Sequence, residues 1–477
     1  MARKYLFGPV SQRFVERNLL EHCASGDCLP FDSAGQLGFT ITDGDDWEAV
    51  LKRLPGGWRP DFVVLDLHYT TIPHCLWQAP VPLVGLAADW NWLWHAYRRL
   101  LGHVDLILTD TEGVERLAKE GIHHALAANL FGLEAGWLSA VPALDANRDI
   151  DVLFAGNMHQ AVQRERLRWL GRLVSLGDRY CVSIVQGVFD TSYRDLARRA
   201  RIIFNRSIWG ECNMRAFEAA AAGALLFQEE SNREIAAYFR DRQECVLYND
   251  QNLEQLLLHY LEHEDERRGI AEAACKRVEE FTFAKLWCGH LNRIEQEWVV
   301  LQARARERCV AGEAIDWRGR LWQALGSGQP RSDSGLVQDL VSCCASGSGD
   351  RLESLSYVRA DLHNGLGMAL ALTNTGGELQ PIGEEFARAV RLDRTHPVAG
   401  LNLVEALIKG GQRTAAIEEA KATLSILNRD DNSELETQPS AVAAKYHTTV
   451  HNQQSTTSDS PFSPPLGKGG AGGVFST

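Results

Sequence analysis

The chain has 477 residues, 45% of them hydrophobic, and a formal net charge of −13. That length exceeds what one hydrophobic core organises, so two to four domains are expected, and the acidic balance argues against nucleic acid as main partner, because phosphate binding needs a basic footprint. No apolar run has the length of a membrane span, Met1 to Pro30 lacks a signal-peptide apolar core, and the eleven cysteines include no CxxC pair, so a cytoplasmic protein without structural zinc is expected.

Residues 1–147 alternate strand-like and helix-like segments, the pattern of a parallel α/β sheet. Tyr5 to Phe7 reads as a first strand closed by Gly8 and Pro9, and Ser11 to His22 as a helix. DFVVLDL (Asp61 to Leu67), PLVGLA (Pro82 to Ala87) and VDLILT (Val104 to Thr109) are strands of the buried type, continuous rather than alternating in their apolar residues. After the second of these comes ADWNWLWHAYRRLL, with Asp89, three tryptophans and His95. The aromatics pack a helix on the sheet or line a pocket. Asp89, the first polar side chain beyond a buried strand, is a candidate catalytic residue.

A second α/β unit spans 148–308. Its first strand, Asp149 to Ala155, ends at Gly156 and Asn157, both candidate donor contacts. Helix Gln163 to Leu176, strand Cys181 to Val185 and helix Asp190 to Arg199 follow. The stretch IIFNRSIWGECNMRAFEAAAAGALLFQEE (Ile202 to Glu230) then reads as strand, loop, helix and strand, with Asn213 at the helix start and Gly223 at its end. Glu218 lies in an almost wholly apolar run, where a lone carboxylate costs several kcal/mol unless something pairs with it. Its partner is a ligand, or only Arg215 three residues earlier. The loop after a strand and the first turn of the next helix are where phosphates bind, since free N–H groups and the helix dipole point there. A nucleotide-diphosphate sugar site therefore assigns the ribose to Glu218 and the diphosphate to Arg206 and Arg215. Backbone N–H groups from Gly210 to Met214 add to the phosphate site, and Glu211 and Asn213 reach the sugar hydroxyls. Two doubly wound units in tandem place a cleft between them.

Strand Glu244 to Tyr248 and helix Leu253 to His263 complete the second unit, and amphipathic helices Glu266 to Glu280 and Leu286 to Arg306 read as a cap closing it. From Gly326 to Asp350 the composition shifts to Gly, Ser, Asp and Pro, with one short helical stretch at Leu336 to Val341, so a linker is expected over 309–355. Residues 356–428 carry a period of 34, with Gly376-Gly377 returning as Gly410-Gly411, Phe386 as Ala420, Ala389 as Thr423 and Val390 as Leu424. That period is similar to the tetratricopeptide helical repeat. Two copies are too few to stand alone, so they are expected to dock on the linker helices or on a protein partner. The tail 429–477 is polar, then rich in Ser, Thr, Pro and Gly, and is expected to be disordered.

Two further patterns are decoys. Gly467, Gly469 and Gly472 spell GxGxxG with no strand before them, and His259, Glu262 and His263 spell HxxEH on a charged helix end with no third ligand.

FAGN at 154–157, N-x-R-x-F-E-A-A-A-x-G at Asn213 to Gly223, YND at 248–250 and ERRGIAEAA resemble the glycosyltransferases of GT-B fold. The likeness is to the family 4-like branch that includes spore-maturation-type proteins. PLVGLAAD and VDLILTDTEG extend it more weakly into residues 1–147, and the repeats and tail lie outside it. The resemblance implies two facing Rossmann-like domains, with donor held by the second domain and acceptor by the first; the all-α repeats and the tail follow them. It implies metal-independent transfer with retention of anomeric configuration, no cofactor and no metal site. Glu218 looks like the second glutamate of the family's paired motif, the one that binds ribose. The first falls at Gly210, with Glu211 one place on. The reading is a glycosyltransferase acting on a protein, glycan or lipid-linked acceptor; the alternative is a degenerate transferase domain working as a nucleotide- or glycan-binding adaptor through its repeats.

Overall fold

The computed structural model describes residues 3–311, apart from positions 43, 68–71, 92–93, 95–96, 98–99, 139–147, 159 and 208–209, and beyond these 337, 340–341, 344, 356–373, 379–396 and 398–427. Most of the expected linker, His95, Gly376-Gly377, the tail 429–477 and the GxGxxG glycines lie outside the described residues.

Two parallel sheets form where two α/β units are expected. The first holds β1 (Tyr5–Gly8), β2 (Cys28–Pro30), β3 (Phe62–Asp66), β4 (Leu83–Leu86), β5 (Leu106–Thr109) and β6 (Ala125–Ala127) in the order β2-β1-β3-β4-β5-β6. The second holds β7 (Ile150–Ala155), β8 (Val182–Val185), β9 (Ala200–Phe204), β10 (Leu225–Glu229) and β11 (Val246–Tyr248) in the order β11-β10-β9-β7-β8. Every strand pair is parallel. Burial on both faces explains the continuous apolar runs: Val63 and Leu65 enter one core while Phe62 and Val64 enter another, and Ile150 and Leu153 are divided likewise from Val152 and Phe154. The strands missed in the sequence, β2 and β6, are three-residue edges, too short to show a pattern.

Strand order reverses between β1 and β3 in one sheet and between β7 and β9 in the other. A crevice opens beyond the carboxyl ends of strands at such switch points, and here the two crevices share one cavity.

Helix α1 (Thr111–Lys119) follows β5, and α2 (Gln160–Val174), α3 (Asp190–Arg199) and α4 (Met214–Ala221) contribute to the lining of that cavity. The chain returns to the first sheet at a tight crossing: Leu133 N–H donates to Phe281 O and Phe283 N–H to Leu133 O, each at 2.9 Å. Gly132 allows it, because its φ is +56° and a β carbon would sit 2.7 Å from Phe283 Cα. Helices α5 (Phe283–Gln296) and α6 (Trp298–Ala311) then pack on the first sheet. Trp287 Nε1 donates to the Tyr5 hydroxyl at 2.9 Å, Trp298 meets Phe62 edge-on, and Arg308 pairs with buried Asp105 at 3.0 Å. This corrects the expectation that Leu286 to Arg306 caps the second unit; the other expected cap helix forms as Glu264–Arg277 and does pack on the second unit, where Ala274 and Ile270 enter its cores. Amphipathicity shows that a helix buries one face, not which sheet receives it.

The repeat region contains α7 (Ser356–Thr373), α8 (Gln380–Leu392), α9 (Ala399–Lys409) and α10 (Arg413–Leu427), each packing on the next. Gly367 admits the ring of Phe386 and Gly400 admits Thr423, where β carbons would clash at 2.6 and 2.8 Å. Leu366 and Ala369 of α7 share a small core with Leu340, a residue of the expected linker. The likeness to tetratricopeptide repeats rests on the 34-residue period.

Candidate functional site

β7 delivers Ala155, Gly156 and Asn157 to the switch point of the second sheet. Arg215, in the first turn of α4, lies across this end: Nε donates to Ala155 O at 2.8 Å and Nη1 to Asn205 Oδ1 at 2.6 Å, with the guanidinium over the Phe154 ring at 4.8 Å. Gly156 makes that placement possible, since a β carbon there would fall 2.3 Å from Arg215 Nη2. Arg215 is thus committed to the strand ends rather than to a pair with Glu218. Asn205, fully buried after β9, ties the floor together. Its Nδ2 donates to Gln228 Oε1 (2.7 Å) and Asn213 Oδ1 (3.0 Å), and its carbonyl accepts from the Tyr248 hydroxyl (2.7 Å). Asn213 stands at the N-cap of α4 but gives its side-chain oxygen to Asn205, so it does not cap the helix. The first-turn N–H groups and positive dipole end of α4 therefore face the cleft without a side-chain acceptor from the cap position.

A second guanidinium, Arg166 of α2, lies beside this floor. It is buried, with Nη1 donating to Asn157 O at 3.0 Å and Nη2 to Arg206 O at 2.8 Å, while Nε has no hydrogen-bond partner. Burial and the neighbouring Arg215 push its pKa down to about 9, still cationic at neutral pH. Two adjacent cations, one with an orphaned donor, suit a multiply charged anion.

One turn along α4, the half-buried Glu218 faces the cavity. Its pKa is raised to about 7 by desolvation, partly offset by the Arg215 charge and by Tyr193. The Tyr193 hydroxyl lies beside it, buried and without a hydrogen bond of adequate geometry. A carboxyl and an unpaired hydroxyl side by side on the cleft wall suit a ligand carrying hydroxyl groups.

The rim is ionic and joins the two domains. Arg13 and Arg17, on the helical segment after β1, both reach the Asp190 carboxylate at the start of α3. Arg17 also pairs with Glu134 at 2.8 Å, and Arg194 approaches Glu134 at 3.4 Å while covering the Trp137 ring. Asp190 adopts φ +57°, unusual for a non-glycine residue. Below the rim, Glu234 bridges the domains by accepting from Thr111 N–H and Cys212 N–H, each at 2.9 Å. The cavity measures about 670 Å³, within the usual range for a small-molecule site.

Residues 139–286 match a family model described as glycosyl transferase-like. This segment holds the whole second sheet. No curated protein matches the chain. Among solved structures, the chain is similar to HepE (Alr3699) of Anabaena in complex with UDP-glucose, at 12% identity and TM-score 0.40, over 62% of this chain and 100% of that one. It is similar to a glycosyltransferase from Rickettsia africae at 12% identity and TM-score 0.41, over 62% and 98%. It is also similar to the pneumococcal O-GlcNAc transferase GtfA in complex with UDP and GlcNAc, at 11% and 0.33, over 49% and 56%.

Of the residues singled out in the sequence, the cavity gathers Asp89, Gly156, Asn157, Glu211, Asn213, Met214, Arg215 and Glu218. Asp89 comes from the first sheet, beyond β4, with φ +50°. Two residues fall elsewhere. Arg206 lies outside the cavity lining, stacked on Trp169 at 4.8 Å beside the buried Glu229 carboxylate, and presents its carbonyl to Arg166. Gly210 also stays off the lining, its φ of +96° in the left-handed region, and a β carbon there would approach Glu112 Oε1 to 3.3 Å. Trp90 and Trp94 are buried against one another, so these two aromatics pack the first sheet. In the HxxEH stretch, His259 pairs with Glu266 and stacks on His263.

The sequence reading missed Arg166, Arg17, Arg13, Asp190, Tyr193 and Glu134. Arg166 sits in QRERLR, where each arginine looks like a solvated helix residue. Tyr193 meets Glu218 from the neighbouring helix α3, and the rest act across the domain boundary; no local pattern reports either. Among the described residues, no helix is long and apolar enough to cross a membrane.

Proposed function

We propose that the chain is a GT-B-type glycosyltransferase that moves a sugar from a nucleotide-diphosphate donor to an acceptor held by the first domain. The observation that carries this reading is the pairing, in one interdomain cavity, of a cationic floor (Arg166, Arg215 and the start of α4) with a hydroxyl-binding wall (Glu218 and Tyr193). The donor diphosphate lies over the floor. Its leaving oxygen gains charge as the glycosidic bond breaks, so cations fixed beforehand stabilise the transition state more than the ground state. Glu218 accepts from the two ribose hydroxyls. Glu211 and Asn213 hold the sugar, Glu211 standing in for a glutamate that the strained backbone at Gly210 disfavours. Asp89, reaching in from the opposite sheet, orients the acceptor hydroxyl. With guanidinium groups neutralising the diphosphate, the reaction runs without a metal and with retention of configuration. The helical pairs act as a tetratricopeptide-like module that recruits an acceptor or partner. Buried free thiols at Cys28, Cys212 and Cys245 support a reducing, cytoplasmic setting.

The test is a donor screen. Purified protein is offered common sugar nucleotides with and without acceptor mixtures, and the free nucleoside diphosphate released is measured. Release with wild type and loss of at least tenfold with Arg215→Ala supports transfer. The adaptor reading draws on Gly210, where the first motif glutamate is absent; nucleotide binding without release from any donor favours it.

A further inference from the structure

The repeat helices end on a bare apolar face. Leu401 and Ile408 of α9 and Ile417 and Leu424 of α10 are between 41% and 61% exposed, and the seven-residue spacing within each pair puts its members on one helix face. Gly400 of α9 receives Thr423 of α10, which fixes how the two helices turn towards each other. At 3.6 residues per turn, both exposed pairs lie roughly a quarter-turn from that contact and on the same side of the hairpin. Ala399 and Leu403, which enter the core shared with α8, lie on the other side.

The repeat period tells what such a face receives. Ile417 and Leu424 correspond, 34 positions earlier, to Gly383 and Val390 of α8. There the next helix covers them: Val390 is buried in one core with Ala399 and Leu403, and a β carbon at Gly383 would meet Ala406 Cβ at 4.0 Å. Position for position, α10 offers what α8 offers to α9. The sequence does not continue the repeat to fill it, since one period beyond α9 Pro439 falls at the place of Glu405 and Thr437 at that of Leu403.

We propose that this face pairs with the same face of a second copy of the chain. Charge complementarity selects that occupant. α9 reads Leu401-x-x-x-Glu405-x-x-Ile408 and α10 reads Ile417-x-x-x-Lys421-x-x-Leu424, one apolar frame carrying opposite charges. A two-fold axis parallel to the helices lays α9 of one copy antiparallel on α10 of the other. Leu401 then meets Leu424 of the second copy, Ile408 meets its Ile417, and Glu405 meets its Lys421 along both edges. Glu405 stands half-exposed, paired within its helix to Lys409 at 2.7 Å, and Lys421 is exposed, so both can reach across. Apolar contacts two turns apart with flanking opposite charges are what set partner and register between helices. The helices are about 16 and 22 Å long, so the interface is at the small end for specific association, with a Kd on the order of 10 μM. No residue of the cavity takes part, and the pairing does not depend on what the cavity binds.

The test is sedimentation of the full chain at concentrations from about 1 to about 100 μM, over which wild type should pass from monomer to dimer. Ile408→Asp and Leu424→Asp, both at exposed positions, should weaken association at least about tenfold with an unchanged thermal melt of the dilute protein. Glu405→Lys sets like charges against each other at both edges and should weaken it about tenfold, and adding Lys421→Glu should restore it to within about threefold. A wild type that stays monomeric throughout overturns the proposal, and is the outcome if the face serves a helix of another protein. A dimer that none of these substitutions weakens overturns it as well, because its interface then lies elsewhere. Dissociation by the aspartates without rescue by the charge swap overturns the laying of α9 on α10.

Discussion

Replacing Glu218 by Gln should move stability and ligand affinity in opposite directions. The Glu218 pKa rises from an ordinary 4.5 to about 7 in the folded chain, because burial disfavours the charged form more than Arg215 restores it. The folded state therefore holds the proton more tightly than the unfolded state. The contribution of Glu218 to stability is greatest below about pH 4.5, where both states are protonated, and falls as pH rises towards the folded pKa. At about 1.4 kcal/mol per unit, the shift amounts to about 3 kcal/mol, most of it lost between about pH 5 and 7. Glutamine keeps the shape without the charge. In the ligand-free protein, Glu218→Gln should thus gain about 2 kcal/mol over wild type between pH 5 and pH 7, read from paired denaturant melts. Ligand binding carries the reverse sign. Ribose hydroxyls donate to the ionised carboxylate, so wild-type affinity for a nucleoside diphosphate should rise about tenfold between pH 6 and pH 8, beyond the part owed to the ligand's own phosphate. Glu218→Gln supplies that reference and should bind weakly throughout. A stability difference that stays flat from pH 5 to pH 8 refutes burial as the cause, and equal nucleotide affinity in the variant refutes the assignment of the ribose.

Four other outcomes follow from the geometry. Gly156→Ala forces the Arg215 guanidinium away from a contact of 2.3 Å; a stability loss of about 1–3 kcal/mol with weaker pyrophosphate binding is expected, and normal binding in calorimetry counts against Arg215 as the floor. Asp190→Ala frees Arg13 and leaves Arg17 with Glu134 alone, so small-angle scattering at low salt should show the ligand-free domains further apart, as for wild type in about 1 M salt where screening falls to about 3 Å; identical curves rule out a latch through Asp190. Arg308→Ala leaves Asp105 buried and unpaired, and the cost should be about 3–5 kcal/mol, seen in thermal or urea unfolding; a loss below about 1 kcal/mol shows that α6 is held by packing alone. Gly132→Ala should destabilise by more than about 1 kcal/mol, since it combines positive φ with a clash at the crossing, and an unchanged melting temperature argues against that contact.

The architecture was legible wherever burial made a segment uniform. β3, β4, β5, β7 and β9 announce themselves as apolar runs because both faces of each are covered, and α4 does so through Gly223 and the alanine run before it. Glu218 was legible for the converse reason, as a charge where the pattern demanded none. What could not be read is what depends on distance in sequence. Arg17 and Asp190 are 173 positions apart, and neither is anomalous in its own neighbourhood. Arg206 shows the opposite error: it follows a strand end, as a phosphate ligand should, yet the chain turns it onto Trp169 and hands its carbonyl to Arg166. The cation that local sequence placed at 206 is supplied at the cavity by 166. The helices after Thr282 carry a clear apolar stripe, and only the crossing at Gly132 and Phe283 decides that the stripe meets β1 and β3.

The cavity also concentrates features that cost stability. A carboxyl with its pKa near neutrality, a buried guanidinium nitrogen and a buried tyrosine hydroxyl without partners, an aspartate at positive φ and an exposed phenylalanine all line it. Any one of these elsewhere would be a candidate for removal by selection, since an apolar or capped replacement would stabilise the fold. A binding site for a small uncharged metabolite has no need of the arginine floor, and one for free phosphate has no need of the hydroxyl-binding wall. The proposed ligand, with a hydroxylated middle and an anionic end, meets the Glu218 carboxyl, the Tyr193 hydroxyl and the Arg166 nitrogen together.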